Sequence, residues 1–209
     1  MKENYQRILE QIIARECGGD KRPRLLLHAC CAPCSSYVLE YLASLFDITL
    51  FFYNPNISPA EEYEFRRAEL QRLVGDMGLA DSVRVLYGRY DPEEFLRVAR
   101  GKEELPEGGA RCYACYRLRL EECGRVAAEG GFDFFTTTLS ISPYKNAQWL
   151  NEIGKEVSAR TGVPYLHSDF KKRNGYKRSC ELSAQYGLYR QDYCGCVYSK
   201  REIGSHGSA

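Results

Sequence analysis

Leu25-Leu26-Leu27-His28-Ala29-Cys30-Cys31-Ala32-Pro33-Cys34 is the stretch that decides the fold. Leu25–Ala29 is a short apolar run with the length of a buried strand. It stops at a cluster of three cysteines. From Ser35 to Phe46 the apolar residues Val38, Leu42 and Leu45 resume helical spacing. A strand thus passes into a helix through a loop made largely of thiols.

The same grammar repeats on both sides. Upstream, Tyr5, Ile8, Leu9, Ile12 and Ile13 follow the period of an amphipathic helix. Downstream, Ile48–Tyr53 reads as a second buried strand, closed by Asn54-Pro55-Asn56. Ser58-Pro59-Ala60-Glu61 offers an N-cap, a proline at the first helical position and a capping-box glutamate for a helix to about Met77. Val83–Tyr87 is a third strand, and Asp91-Pro92-Glu93-Glu94 starts another helix by the same chemistry. Gly101–Gly109 reads as a loop and Arg111–Glu129 as a helix; Phe132–Thr138 is a β-branched and aromatic strand. Ser142-Pro143 is expected to cap a helix to about Arg160, and Val163–Leu166 is a last candidate strand. Such alternation predicts an α/β fold, a mostly parallel sheet with helices on both faces, followed by a Cys- and Tyr-rich C-terminal segment. Residues 1–203 read as one domain. Residues 204–209 read as an expression scar or frayed tail, which removes His206 from consideration.

Composition narrows the class. The chain has 209 residues, 44% hydrophobic and 27% charged, with a formal net charge of +1. Those figures exclude disordered, collagenous and membrane proteins. Ten cysteines are the anomaly, because a secreted disulfide scaffold of that density is normally far shorter. The start, Met1-Lys2-Glu3-Asn4, shows no signal peptide, and no apolar run is long enough to span a bilayer. A cytoplasmic setting is therefore expected, where clustered thiols mean metal or redox chemistry.

Seven of the ten cysteines fall into three sets. Cys30, Cys31 and Cys34 lie beyond the end of the first strand, where open α/β sheets bind ligands. Cys112 and Cys115 are three apart on a helix and share a face. Cys194 and Cys196 flank Gly195, whose freedom lets both sulfurs turn to one centre. The long gaps between sets do not fit a self-contained zinc module, so the fold must assemble the site from distant loops. Four thiolates suffice for one [4Fe–4S] cluster. The three left over could bind a second metal ion, iron or zinc, or form a redox-active disulfide; structural zinc is the plainer alternative. Cys17, Cys123 and Cys180 lack partners at ligand spacing, and Cys123 reads as a small buried hydrophobe.

Charge is unevenly spread. Residues 160–201 hold nine Lys/Arg against three Asp/Glu, a balance of +6, whereas residues 1–159 come to −4. Lys171, Lys172, Arg173, Lys177 and Arg178 are interleaved with Tyr176, Tyr186, Tyr189 and Tyr193. Basic side chains neutralise phosphates and aromatic rings stack on unpaired bases; a solvated basic loop is the plain reading.

Five blocks in this order resemble the QueH-type epoxyqueuosine reductases: Leu27–Cys34, Asn54-Pro55-Asn56-Ile57, Arg111–Cys115, Phe135–Leu139 with Ser142–Asn146, and Leu188–Cys196. The resemblance spans about residues 24–199. It implies a sheet similar to the nucleotide-binding α-hydrolase (HUP-like) fold. It also implies an iron–sulfur enzyme, independent of cobalamin, that removes the epoxide oxygen from epoxyqueuosine at the tRNA wobble position, the last step of queuosine biosynthesis. The partners it implies are tRNA carrying epoxyqueuosine in the anticodon loop and a separate electron donor.

Removing an epoxide oxygen as water takes two electrons and two protons. An open cluster iron would polarise the C–O bond as a Lewis acid, so one iron is expected to lack a cysteine ligand. Tyr144, Lys145 and Tyr193 are the candidate proton donors, with His28 either a donor or a satisfied polar group at a strand end. Asn54 and Asn56 could bind substrate or shape their turn. Glu62, Tyr63 and Arg67 could touch substrate; Asp91 and Asp169 could ligate a metal, although Asp91 already has work as an N-cap. Lys171, Lys172, Arg173, Lys177, Arg178 and Arg190 are the candidate phosphate contacts. Two other classes compete: a thiol–disulfide oxidoreductase, from strand–CxxC–helix, and a zinc-containing RNA-binding module.

Overall fold

The computed structural model describes residues 3–19 and 21–200. The 204–209 tail and the last three residues assigned to the domain lie outside the described residues.

The quoted stretch forms the middle of the molecule. β1 (Arg24–His28) is flanked by β2 (Asp47–Phe52) and β4 (Phe134–Thr137), with β3 (Arg84–Tyr87) beyond β2. All neighbours run parallel; Leu27 pairs with Leu50 on one side and Thr136 on the other. Strand side chains alternate between faces, and both faces here are apolar. Leu25, Leu27, Leu50, Phe52 and Phe134 pack into one core with α2 (Ala32–Leu42) and α3 (Ala60–Asp76). Leu26, Phe51 and Phe135 pack into another with α5 (Ala110–Glu129) and α6 (Ala147–Thr161). Leu9 of α1 (Tyr5–Glu16) joins the first core. The near-continuous apolar strands are thus explained by helices on both faces, as the alternation predicts.

The chain runs β1, β2, β3 in one direction and then returns to place β4 on the other side of β1. Connections therefore diverge from the carboxyl ends of β1 and β4, which opens a crevice there. That is where the thiol loop sits.

Local readings fail where tertiary contacts intervene. Ser58 does not cap α3: Pro59 is the N-cap residue, without a side-chain bond, and the Ser58 N–H donates to the Gly195 carbonyl at 2.9 Å. Ser142-Pro143 does not open α6. After β4 the chain makes a 3-10 turn, Thr138–Ile141, and Asn146 caps α6 by accepting from the Trp149 N–H at 3.2 Å. Val163–Leu166 reduces to a single parallel bridge, Phe135 to Tyr165. Asp91 does cap α4 (Pro92–Ala99), accepting from the Glu93 N–H at 3.1 Å. The basic segment is not all loop, because Lys177 and Arg178 lie on α7 (Gly175–Gln185). Its buried side is Gly175, Ser179, Leu182 and Ser183, too small and polar to print an apolar period. Gly175 is required there, since a Cβ would lie 2.0 Å from the Phe170 carbonyl oxygen.

Candidate metal and redox centre

β1 ends at His28 and α2 begins at Ala32, so the intervening thiols stand at the crevice. Cys31 is the N-cap of α2 in an extended conformation, and Pro33 fits the first turn because its missing N–H would have no helical partner. The sulfurs of Cys30, Cys31 and Cys34 lie within 4.8 Å of one another. Cys30 Sγ is 3.7 Å from Cys31 Sγ and 3.7 Å from Thr138 Oγ1, just past β4. Hydrogen bonds from Cys31 and then Cys34 hold the Cys30 thiol well below its ordinary range, and contact with Cys30 pushes the other two up. Cys30 is thus the most acidic of the three.

The other four thiols gather beside it. Cys112 and Cys115 occupy the first turns of α5, and Cys115 and Cys196 pack together with Phe95 and Ala99. Cys112 Sγ accepts from the Gly108 N–H at 3.3 Å, and Cys196 Sγ from the Ser199 N–H at 3.4 Å. Burial, with Cys194 nearby, pushes the Cys115 thiol up to about 11 and Cys196 up to about 12. Gly195, at φ +103°, makes the turn between Cys194 and Cys196. The seven thiols therefore divide into a compact three and a looser four. All ten cysteines are free thiols, and Cys123 is fully buried, as its spacing suggests.

Two arginines, unforeseen from the sequence, join the sets. Arg119 is 1% exposed; Nε donates to the Cys115 carbonyl at 3.3 Å and Nη1 to Asn54 Oδ1 at 3.4 Å. Asn54 in turn donates to the Ala29 carbonyl at 2.9 Å, so both ends of its amide are engaged by protein. Arg66 is 3% exposed, ion-paired to Glu62 at 2.6 Å, and donates to the Cys194 carbonyl at 3.3 Å. Arg66 Nη2, Arg119 Nη2, Tyr116 Oη and Asn56 Oδ1 are buried with no hydrogen-bond partner among the described residues. The sequence signal was position: Arg66 shares the buried side of α3 with Tyr63 and Leu70, and Arg119 falls four residues beyond Cys115, between Tyr116 and Leu120.

A guanidinium cannot shed its charge in a protein, and a buried charge needs a counter-charge. No carboxylate pairs with Arg119 among the described residues. The donor set and the orphaned N–H groups thus fit an anionic, thiolate-held metal centre.

The remaining candidates sort by position. His28 is fully buried, its Nε2 3.0 Å from the Tyr53 carbonyl and its Nδ1 2.9 Å from Thr137 Oγ1. Burial lowers its pKa to about 4, so it is the satisfied, neutral histidine. Lys145 is 8% exposed and donates to Glu107 Oε1 at 2.8 Å. Ser199 Oγ donates to the other oxygen of Glu107 at 2.9 Å and accepts from the Cys194 N–H at 3.1 Å. A hydrogen-bonded chain thus links Lys145 to the loop carrying Cys194. Tyr193 lies under Arg66, 5.3 Å from guanidinium to ring centre, and Tyr144 is 76% exposed. Tyr63 stacks on Tyr90, Arg67 pairs with Glu64 and Asp169 pairs with Lys171.

A groove of about 1080 Å³ opens between the start of α1, residues 143–148 and residues 169–173. Lys145 lies on its wall, as do Lys171, Lys172 and Arg173. Lys177, Arg178 and Arg190 are not among its lining; Arg178 is tied to Glu40 and Glu181, and Arg190 donates to Ser183 Oγ.

A parallel sheet, covered on both faces, with seven thiols and buried cations at its switch point defines an α/β protein with a thiol-based centre. The sequence profile described as epoxyqueuosine reductase QueH matches residues 25–202. The epoxyqueuosine reductase QueH of Streptococcus pyogenes serotype M1 is 45% identical over 205 residues, covering 97% of this chain and 80% of that one. That of Staphylococcus epidermidis is 45% identical over 208 residues, 97% and 87%; that of Thermotoga maritima is 37% identical over 184 residues, 85% and 91%. The chain belongs to the epoxyqueuosine reductase QueH family, and it is an enzyme, an oxidoreductase. Among the described residues no helix is long and apolar enough to cross a membrane.

Proposed function

We propose that this protein reduces epoxyqueuosine to queuosine at the wobble position of tRNA, in the cytoplasm, using an iron–sulfur centre and no cobalamin. The observation that carries the reading is the pair of buried guanidiniums, Arg66 and Arg119, left without full partners among seven thiols. Cys30, Cys31, Cys34, Cys112, Cys115, Cys194 and Cys196 would hold one [4Fe–4S] cluster and, with the surplus thiols, a second metal ion or a dithiol. When bound, such a centre supplies single electrons and a Lewis-acidic position toward the epoxide oxygen.

The chain's own residues supply the rest. Loss of the oxygen breaks both epoxide C–O bonds, leaves a carbon–carbon double bond and releases water, consuming two electrons and two protons. Tyr193, whose pKa burial raises, stays protonated and can donate a hydrogen bond beside Cys194. Burial alone would lower Lys145, but the charges of Cys194, Tyr116 and Glu107 more than offset it and hold its pKa above the ordinary value. Lys145 therefore holds positive charge at the inner wall of the groove, and passes a proton only as the oxygen becomes strongly basic. Tyr144 meets the substrate at the outer rim, and Asn56 offers its free carbonyl oxygen to it.

The groove suits a single-stranded anticodon loop, which needs no melting to present its base. Arg173 and Lys171 face Glu10 and Asp169, whereas Arg7 and Lys172 have no carboxylate within 4.0 Å among the described residues and are the free cations for phosphates. Lys177 and Arg190 would act farther along the RNA, and Arg178, held by Glu40 and Glu181, would contribute least.

Anaerobic purification tests the reading. The protein is expected to be brown, with iron and acid-labile sulfide. A colourless protein that exchanges disulfides would instead indicate a thiol–disulfide oxidoreductase, and a zinc-only protein an RNA-binding module.

A further inference from the structure

Arg66 and Arg119 bond the chain too sparsely for side chains so buried. A purely structural arginine satisfies its five N–H donors with carbonyls and carboxylates. Arg119, at 1% exposure, makes two long bonds of 3.3 and 3.4 Å, has no ion pair among the described residues, and leaves Nη2 empty-handed. Arg66 shares Glu62 but likewise leaves Nη2 without a partner. Each also holds a cysteine segment by its backbone: Arg119 the Cys115 carbonyl and, through Asn54, the Ala29 carbonyl; Arg66 the Cys194 carbonyl. Arg119 also feels the charges of Cys115, Cys194 and Cys30, and Arg66 those of Cys31 and Cys30, so both cations act on the compact three thiols and the looser four.

We propose that Arg66 and Arg119 are a pair of positioning residues that set the reduction potential of the thiol-bound centre, each keeping Nη2 for its anionic atoms. The inference rests on the reading that the thiols hold an iron–sulfur cluster. Adding an electron to such a centre adds negative charge, and fixed positive charge in a water-poor site favours that state. The pair raises the potential, so a cellular donor of moderate strength can reduce the centre. The same cations would offset the repulsion among the thiolates that bind such a centre.

The test uses Arg119→Gln and Arg66→Gln, which remove charge, against Arg119→Lys and Arg66→Lys, which keep it. Anaerobic redox titration of each holoenzyme, followed by visible absorption and electron paramagnetic resonance, should give a more negative midpoint for both Gln variants. The Lys variants should stay near the parent. Gln variants that fold but hold no iron, while their Lys counterparts hold it, support the same requirement for charge. Unmoved potentials at full iron content overturn the proposal, as does equal iron loss in Lys and Gln variants. If Arg119→Gln does not fold, Arg66→Gln decides by the same criteria. A parent protein without iron and sulfide would instead sink the cluster reading itself.

Discussion

The Arg66 guanidinium donates to the Cys194 carbonyl at 3.3 Å and so ties α3 to the loop of the last two clustered cysteines. The same guanidinium closes over Gly195, where an added Cβ would come within 2.9 Å of Nη1. Gly195 also sits at φ +103°, a conformation that side chains other than glycine resist. Gly195→Ala is expected to cost about 1–3 kcal/mol in anaerobic denaturant unfolding and to lower the iron content. Wild-type stability and iron content would mean the loop can relax without Arg66.

Lys145 lines the groove and pairs with Glu107, whose other oxygen reaches the Cys194 backbone through Ser199. Lys145→Met removes the ammonium that Glu107 meets at 2.8 Å, at an expected cost of about 1–3 kcal/mol, because Glu107 keeps some solvent. Activity should fall more than stability explains. Combining Lys145→Met with Glu107→Gln should recover part of the stability but not the activity, which a double-mutant cycle reads directly.

Arg7 and Lys172 should each carry a phosphate contact. Arg7→Gln and Lys172→Gln are expected to weaken tRNA binding and to reduce the steepness of its salt dependence by about 0.7 per contact. Arg178→Gln should do much less, because Arg178 is held by Glu40 and Glu181. Equal effects at Arg178 would move the RNA path from the groove to α7.

His167 provides a pH test away from the centre. Its Nδ1 is 3.1 Å from Asn151 Oδ1 and its ring stacks on Tyr5. Burial, aided by Lys155 and opposed by Glu3, holds its pKa below the ordinary 6.5. The unfolded chain therefore takes up this proton first. The contribution is fully present above pH 6.5 and is lost as pH falls through the folded value. Ring titration by NMR should show a midpoint below 6.5; a midpoint above it would contradict the burial argument. His167→Gln should flatten that part of the stability profile.

Much of the fold could be read from β1 and the thiol loop, because an apolar run and a helical period are local signals. The seven cysteines stand out as a residue type that announces chemistry, and Lys145 by its place beside a motif block. Arg66 does not, although its neighbours Glu62, Tyr63 and Arg67 draw attention; one more cation on a charged helix looks solvated until the helix has a buried side. Glu107 and Ser199 were hidden in loops, where nothing local separates a partner from a spacer. Nor could spacing divide seven thiols into three and four, since that depends on how β1, α5 and the C-terminal loop meet.

Single-turnover reduction of epoxyqueuosine-containing tRNA by the anaerobic, iron-loaded protein, with a chemical reductant and no cobalamin, measures the proposed reaction itself. Stoichiometric formation of queuosine, absent when Cys31→Ser replaces the parent protein and retained when Cys17→Ser does, is the predicted result. An iron-loaded protein that leaves the epoxide intact, or a Cys31→Ser variant that reduces it as fast as the parent, would rule out a thiol-held centre as the seat of the reduction.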